Sequence, residues 1–139
     1  MSFFGPTMPY PQADPDTQEF WDACNQHRLV IQQCTNCKSF RFAPVAICYN
    51  CNSWDYENVE SEGIGEVFTW TISHLPIHPA VEQAIPFNIV AVKLLDCGGA
   101  TMTSNLVGVK NEDIKAGMRV KVEWDEVQPG VTLPRFRPI

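Results

Sequence analysis

Charge is scarce in this chain. Asp, Glu, Lys and Arg make up 19% of its 139 residues, against about a quarter in an ordinary soluble domain. Sixteen acidic residues outnumber 10 basic ones, for a formal charge of −6. No run of basic residues occurs, and positions 60–139 hold 7 basic side chains against 10 acidic. Tracking a phosphate backbone needs clustered Lys and Arg that release counterions, so the composition argues against nucleic acid as the main ligand. Long apolar runs are also missing: no stretch of about 18 such residues could cross a bilayer. The opening Met1-Ser2-Phe3-Phe4-Gly5-Pro6 has neither the basic nor the apolar region of an export signal. A cytoplasmic protein, off the membrane, is the expectation, with its six cysteines reduced or metal-bound rather than paired as disulfides.

Catalytic signatures are missing as well. There is no His-Glu-x-x-His, no Gly-x-Ser-x-Gly and no glycine-rich phosphate or dinucleotide loop. His74 and His78 flank a proline-rich segment, and loop histidines are more often structural than catalytic. Asp125 and Glu126 are adjacent, so on a strand they diverge. Cys97 precedes Gly98-Gly99 with no histidine near it in sequence. An independent enzyme built on Cys97 or His74 is the weakest of the functional readings.

What is present starts with cysteine spacing. Cys34-Thr35-Asn36-Cys37 and Cys48-Tyr49-Asn50-Cys51 are two Cys-x-x-Cys turns ten residues apart. Each turn points two sulfurs the same way, and two such turns give tetrahedral four-sulfur ligation. Cys34, Cys37, Cys48 and Cys51 are therefore expected to hold one Zn²⁺, with iron as the rival of identical ligand set. Four thiolates leave no position for water, so the ion is structural. So short a ribbon has little core, and the metal is expected to supply its folding energy. No Asp or Glu occurs between Ala23 and Trp54, while Arg28, Lys38 and Arg41 do. Those cations would offset the excess negative charge of the thiolates.

Around this ribbon the chain divides by pattern. Positions 1–13 carry three prolines among aromatics and read as an extended arm, either frayed or docked on a partner. Asp14 and Pro15 open a helix as N-cap and first helical residue, ending near His27, with Phe20, Trp21 and Cys24 on one face. The expected units are arm and helix (1–28), ribbon (29–56) and a β domain (57–139). In the last, strands are read at Gly63–Ser73, Phe87–Leu95, Ala100–Val107, Val120–Trp124 and Val131–Phe136. A helical turn is expected at Asn111–Ile114 and an irregular loop from Leu75 to Pro86. Glycines at 63 and 65 suit a bent strand. The fold expected is mainly β: a helix and ribbon followed by a five-stranded OB-fold barrel.

This order of features resembles the DUF35 family, OB-fold proteins with a rubredoxin-like zinc ribbon. Its marks here are Phe20-Trp21, Gln33-Cys34-x-x-Cys37, Pro44 and Cys48-x-x-Cys51. They continue with Gly63-x-Gly65-x-Val67-x-x-Trp70-Thr71, Pro86-Phe87, Asn105-Leu106-Val107-Gly108, Gly117-Met118-x-Val120 and Leu133-Pro134-x-Phe136-x-Pro138. The resemblance implies a non-catalytic, acyl-CoA-associated scaffold subunit in a hetero-oligomer with a thiolase-fold enzyme. That partner would be a thiolase, a hydroxymethylglutaryl-CoA synthase-like enzyme or a lipid-transfer-protein-like aldolase acting on steroid side chains. Thr71-x-x-His74 and the Leu133–Pro138 ending look closest to the steroid companions. Cys97-Gly98-Gly99 departs from the Glu-Gly more usual there, and the hydratase domain fused in some steroid relatives is expected on a separate chain. On this reading Arg41, Arg135 and Arg137 are the candidate CoA-phosphate contacts, and Phe3, Phe4, Trp70 and Phe136 the aromatic anchors for the partner. The alternative is a single-stranded nucleic-acid binder, since OB barrels stack bases on aromatics over a basic groove.

Overall fold

In the computed structural model, which describes residues 2–139, the helix α1 spans Gln18–Asn25 with Thr17 at its N-cap. Asp14, the expected N-cap, instead caps a turn that precedes the helix. Its carboxylate accepts the amides of Asp16 (3.0 Å) and Thr17 (2.9 Å), which closes residues 14–17 into a tight turn. At the other end His27 takes φ +57°. The Arg28 amide then reaches back to the Ala23 carbonyl and the His27 amide to that of Cys24, both at 2.9 Å, the Schellman closure of a helix. α1 buries Phe20, Ala23 and Cys24, and Phe20 sits edge-on to Trp21 (4.9 Å) and Phe42 (5.1 Å).

Strand β1 (Leu29–Cys34) lies between β2 (Phe40–Arg41) and β3 (Tyr56–Ser61) in a three-stranded antiparallel sheet. β3 is a finding: Tyr56-Glu57-Asn58-Val59-Glu60-Ser61 is mostly polar and exposed, and pairing makes it a strand. All six of its residues pair with β1, from Leu29 opposite Ser61 to Cys34 opposite Tyr56.

The second sheet contains β4 (Ile64–Ser73), β5 (Phe87–Leu94), β6 (Thr101–Ser104), β7 (Arg119–Gln128) and β8 (Val131–Pro138), in the antiparallel order β6-β5-β4-β7-β8. β4 is the bent strand, with a register shift between Val67 and Thr69. At Gly65 the strands press so close that a Cβ would lie 2.5 Å from Val92 Cγ1 and 2.6 Å from the Lys93 carbonyl oxygen. The sheet curls into a half-barrel, and its two edges meet. Leu106 forms a parallel bridge with Phe136, the Val107 amide donates to the Phe136 carbonyl (2.8 Å), and Ser104 Oγ donates to the Pro134 carbonyl (2.7 Å). A 3-10 turn at Asn111–Asp113 sits between β6 and β7, and another at Pro79–Val81 lies within the proline-rich loop.

One cluster of buried side chains joins all of this: Phe20 from α1, Leu29 and Ile31 from β1, and Val92, Leu106 and Phe136 from around the barrel. The ribbon's base thus shares the barrel's core, so the metal is not its sole source of stability. That corrects the expectation of a ribbon held by its ion alone. The N-terminal arm docks on its own barrel. The Phe3 amide donates to Asp125 Oδ2 (3.1 Å), and the Phe4 ring meets Phe87 edge-on at 4.9 Å. Among the described residues no helix is long and apolar enough to cross a membrane.

Candidate metal centre

The ribbon's tip consists of one seven-residue pattern used twice. Cys34-Thr35-Asn36-Cys37-Lys38-Ser39-Phe40 and Cys48-Tyr49-Asn50-Cys51-Asn52-Ser53-Trp54 share cysteine, asparagine and serine at matching places, 14 residues apart. Their backbones match too. Lys38 and Asn52 take φ +64° and +61°. The Cys34 amide donates to the Ser39 carbonyl and the Cys48 amide to the Ser53 carbonyl, each at 2.9 Å. A left-handed residue just after the second cysteine folds each pair of sulfurs inward.

The two turns bring Cys34, Cys37, Cys48 and Cys51 together, with all four Sγ atoms within 4.8 Å of one another. Cys34 and Cys51 are 3.6 Å apart at sulfur, as are Cys37 and Cys48. A tetrahedron with metal–sulfur bonds of about 2.3 Å has sulfur–sulfur edges of about 3.8 Å. The cage therefore fits one ion, and no disulfide joins its members.

Donors surround the sulfurs. Backbone amides of Cys37 and Asn50 point at Cys34 Sγ (3.5 Å) and Cys48 Sγ (3.4 Å). Asn36 Nδ2 crosses to Cys51 Sγ on the other turn (3.4 Å), and Asn50 Nδ2 crosses to Ser39 Oγ (3.2 Å). Ser39 Oγ lies 3.1 Å from Cys37 Sγ, and the hydrogen bonds from Ser39 hold the Cys37 thiol down to about 5. Such outer donors orient ligands and spread their charge. Asn36, Ser39 and Asn50 were missed in the sequence, although the repeat that contains them was there to be seen.

The other expected contacts fare unequally. Phe136 is wholly buried in the core, which corrects its assignment as a partner anchor. Arg135 is 8% exposed. Its Nε donates to Asp125 Oδ2 (3.1 Å) and its Nη1 to Asn105 Oδ1 (2.6 Å), while its guanidinium lies under the Phe3 and Phe4 rings. It is a cation bonded into the barrel beneath the N-terminal arm, and it also forms part of the wall of the groove beside the proline-rich loop. Arg137 keeps an exposed side chain paired with Glu123, and this holds the Glu123 carboxyl below its ordinary range. Arg41 is buried beneath a cleft between ribbon and barrel. Phe3 and Phe4 are half-buried against their own barrel, and Trp70 is partly exposed on β4. More exposed apolar side chains went unforeseen: Tyr49, Trp54, Phe68, Leu75 and Ile77. An apolar groove of about 320 Å³ opens beside the proline-rich loop, between Phe4, Ile77, Val81, Phe87 and Ile89.

The candidates for independent catalysis are placed otherwise. Cys97 is fully buried, and burial, followed by the Asp96 charge, pushes its thiol up to about 11. His78 Nδ1 accepts the Ala80 amide at 3.0 Å, capping the 3-10 turn.

The family profile described as the ChsH2 rubredoxin-like zinc ribbon domain matches residues 21–57, and that of the ChsH2 C-terminal OB-fold domain matches residues 58–125. The chain is 39% identical over 130 residues to a probable enoyl-CoA hydratase alpha subunit of Thermomonospora curvata, covering 94% of this chain and 40% of that one. It is 32% identical over 117 residues to the 3-oxo-4,17-pregnadiene-20-carboxyl-CoA hydratase alpha subunit of Mycobacterium tuberculosis, covering 84% and 36%. The chain thus spans about two fifths of these curated relatives. In the solved structure described as the Ltp2-ChsH2(DUF35) aldolase, one chain superposes with a TM-score of 0.83 at 39% identity, over 92% of this chain and 98% of that one. This chain belongs to the DUF35 family in its ChsH2 form, a rubredoxin-like zinc ribbon joined to an OB-fold domain.

Proposed function

We propose that this protein is the non-catalytic binding subunit of a two-component enzyme that makes or breaks a carbon–carbon bond in an acyl-CoA thioester, with a thiolase-fold chain as its partner. The observation that carries this reading is the likeness, over almost the whole of both chains, to the DUF35 component of an aldolase. The surface supports it: Trp54, Phe68, Leu75 and Ile77 are apolar, exposed and of the kind that a partner covers. A steroid side chain is the favoured acyl group, given the relative named for a pregnadiene carboxyl-CoA. The groove along Ile77, Val81 and Phe87 would form part of the thioester channel. Arg137, the expected CoA arginine whose guanidinium stays at the surface, would meet phosphate. The bond-changing residues would be the partner's.

Within this subunit the cysteine cage would hold zinc as a structural ion. Four thiolates close the coordination shell, and the crossing donors of Asn36 and Asn50 suit a site that is meant to keep its ion. An iron-loaded site of the same shape would be coloured, and zinc would not.

Co-expression with a thiolase-fold aldolase subunit, followed by size exclusion with inline mass and metal analysis, tests the reading. A stoichiometric complex with one zinc per copy is expected, with cleavage of a steroid acyl-CoA only when both chains are present. A chain that stays alone, or that turns over the thioester by itself, would overturn it.

A further inference from the structure

Among the described residues two arginines are buried, and only one of them is paired with a carboxylate. Arg135 is 8% exposed and meets a carboxylate through Nε and an amide oxygen through Nη1. Arg41, at the end of β2, is 5% exposed, yet no carboxylate touches it among the described residues. Its Nε donates to Gln32 Oε1. Its Nη2 reaches the Val45 carbonyl at a long 3.4 Å, and its Nη1 is buried with no hydrogen-bond partner at all. Buried guanidinium donors are rarely left unpaired, because the N–H has given up water for nothing.

None of the ribbon's carboxylates pairs with Arg41. From Ala23 to Trp54 the sequence contains no Asp or Glu. Gln32 is already shared, since its Oε1 also accepts the Val45 amide at 3.0 Å. Arg41 instead forms part of the wall of an open cleft of about 500 Å³, which runs between Phe40, Phe42 and Tyr49 of the ribbon and Gly98, Gly99 and Ala100 of the β5–β6 turn. Gly98 is what allows that approach, since a Cβ there would lie 2.9 Å from Phe40 Cδ2.

We propose that this cleft is a socket for a carboxylate side chain presented by the partner subunit, which completes the Nη1 edge of Arg41. The inference rests on the binding-subunit reading above. Charge chooses the occupant: the cleft offers one guanidinium among apolar walls, which balances the single charge of a carboxylate and leaves a phosphate dianion uncompensated. Nη1 is enclosed in the free chain, so the guanidinium must tilt toward the cleft, after which the unfilled Nη1 and the weakly held Nη2 form the fork that a carboxylate meets with two parallel bonds. The surroundings favour a polypeptide over a small ligand. The cleft is open, and Val45 (41% exposed) and Tyr49 (72%) on its rim, with Phe40 and Phe42 on its wall, form a largely apolar collar. Such a collar excludes water from a central charged pair.

The test has two arms, both on the metal-loaded full chain. In the first, acetate and inorganic phosphate are titrated separately at fixed ionic strength while the Gly98 and Gly99 amide resonances are followed. Saturable shifts with acetate, absent in Arg41→Gln and in Arg41→Met, are expected. No saturation by acetate, or tighter binding of phosphate, would overturn the carboxylate assignment. In the second, assembly with the thiolase-fold subunit and the Tm of the free chain are compared across wild type, Arg41→Met and Arg41→Lys. Loss of one member of a buried charge pair should weaken assembly about 30-fold or more. The Met variant should keep the free-chain Tm or raise it, and Lys should recover part of the affinity. A lowered Tm with unchanged affinity would make Arg41 a structural cation and end the proposal. If wild type itself never assembles, the binding-subunit reading fails, and the acetate arm still decides whether the cleft reads carboxylates.

Discussion

At the scale of single residues, alternation along a strand decides less than what later lies on it. β8 presents Arg135 and Phe136 to opposite faces, and the sequence suggested an outward role for both. Phe136 became core because the sheet curls until β8 meets Leu106, which puts the ring inside the closed seam. Truncating it should be severe: Phe136→Ala is expected to lower unfolding stability by about 3–5 kcal/mol, measured by urea denaturation of the metal-loaded protein. Arg135 became interior because an arm more than 100 residues away in sequence covers it, and no local pattern could show that. The thiols outside the cage make a second expectation. Burial pushes Cys24 up to about 12 and Cys97 up to about 11, so both are neutral thiols in the folded chain across the physiological range. Their folded values lie above the ordinary thiol value, so stability from keeping them protonated is complete below that value. It is lost as pH rises toward the folded values, because the unfolded chain ionises first. Alkylation of the native metal-loaded protein near pH 8 should therefore modify neither residue rapidly, and denaturant midpoints should fall as pH is raised through the alkaline range.

At the scale of elements, the metal ligands were legible because a Cys-x-x-Cys turn is a local object whose geometry follows from its own spacing. The helix, the bent β4 and the turn at Gly98-Gly99 were legible for the same reason. β3 was not, because its residues carry no apolar alternation and its identity comes from six pairs made with β1. That pairing changes what removing the metal should do. The cage pins only the two turns at the tip, while β1 is paired along its whole length and buried in the common core. Treatment with a strong chelator is expected to release the ion and loosen residues 34–54, raising amide exchange there. Protection at Leu29–Ile31 and through the barrel should persist. Global unfolding on chelation would mean that the ion supports the whole chain.

At the scale of the whole molecule, ribbon and barrel belong to separate family profiles but not to separate cores. Phe20 and Ile31 pack in the same cluster as Val92 and Phe136, and α1 lies on both β1 and β8. A metal-loaded chain with one core should unfold in a single step. Tryptophan fluorescence and far-ultraviolet circular dichroism are expected to give the same denaturant midpoint; two midpoints would separate the ribbon from the barrel. The sequence showed the order of the parts and their family. It could not show this merging, since the contacts that weld the parts together join residues far apart along the chain.

The paired turns of the cage have one more consequence. Each turn brings two sulfurs and one asparagine that serves the other turn's half, so neither is a finished site and each is the other's complement. The centre is a dimer in miniature, with both subunits carried on one chain. All the instructions for half of it fit within seven residues, and a second segment of the same pattern provides the rest.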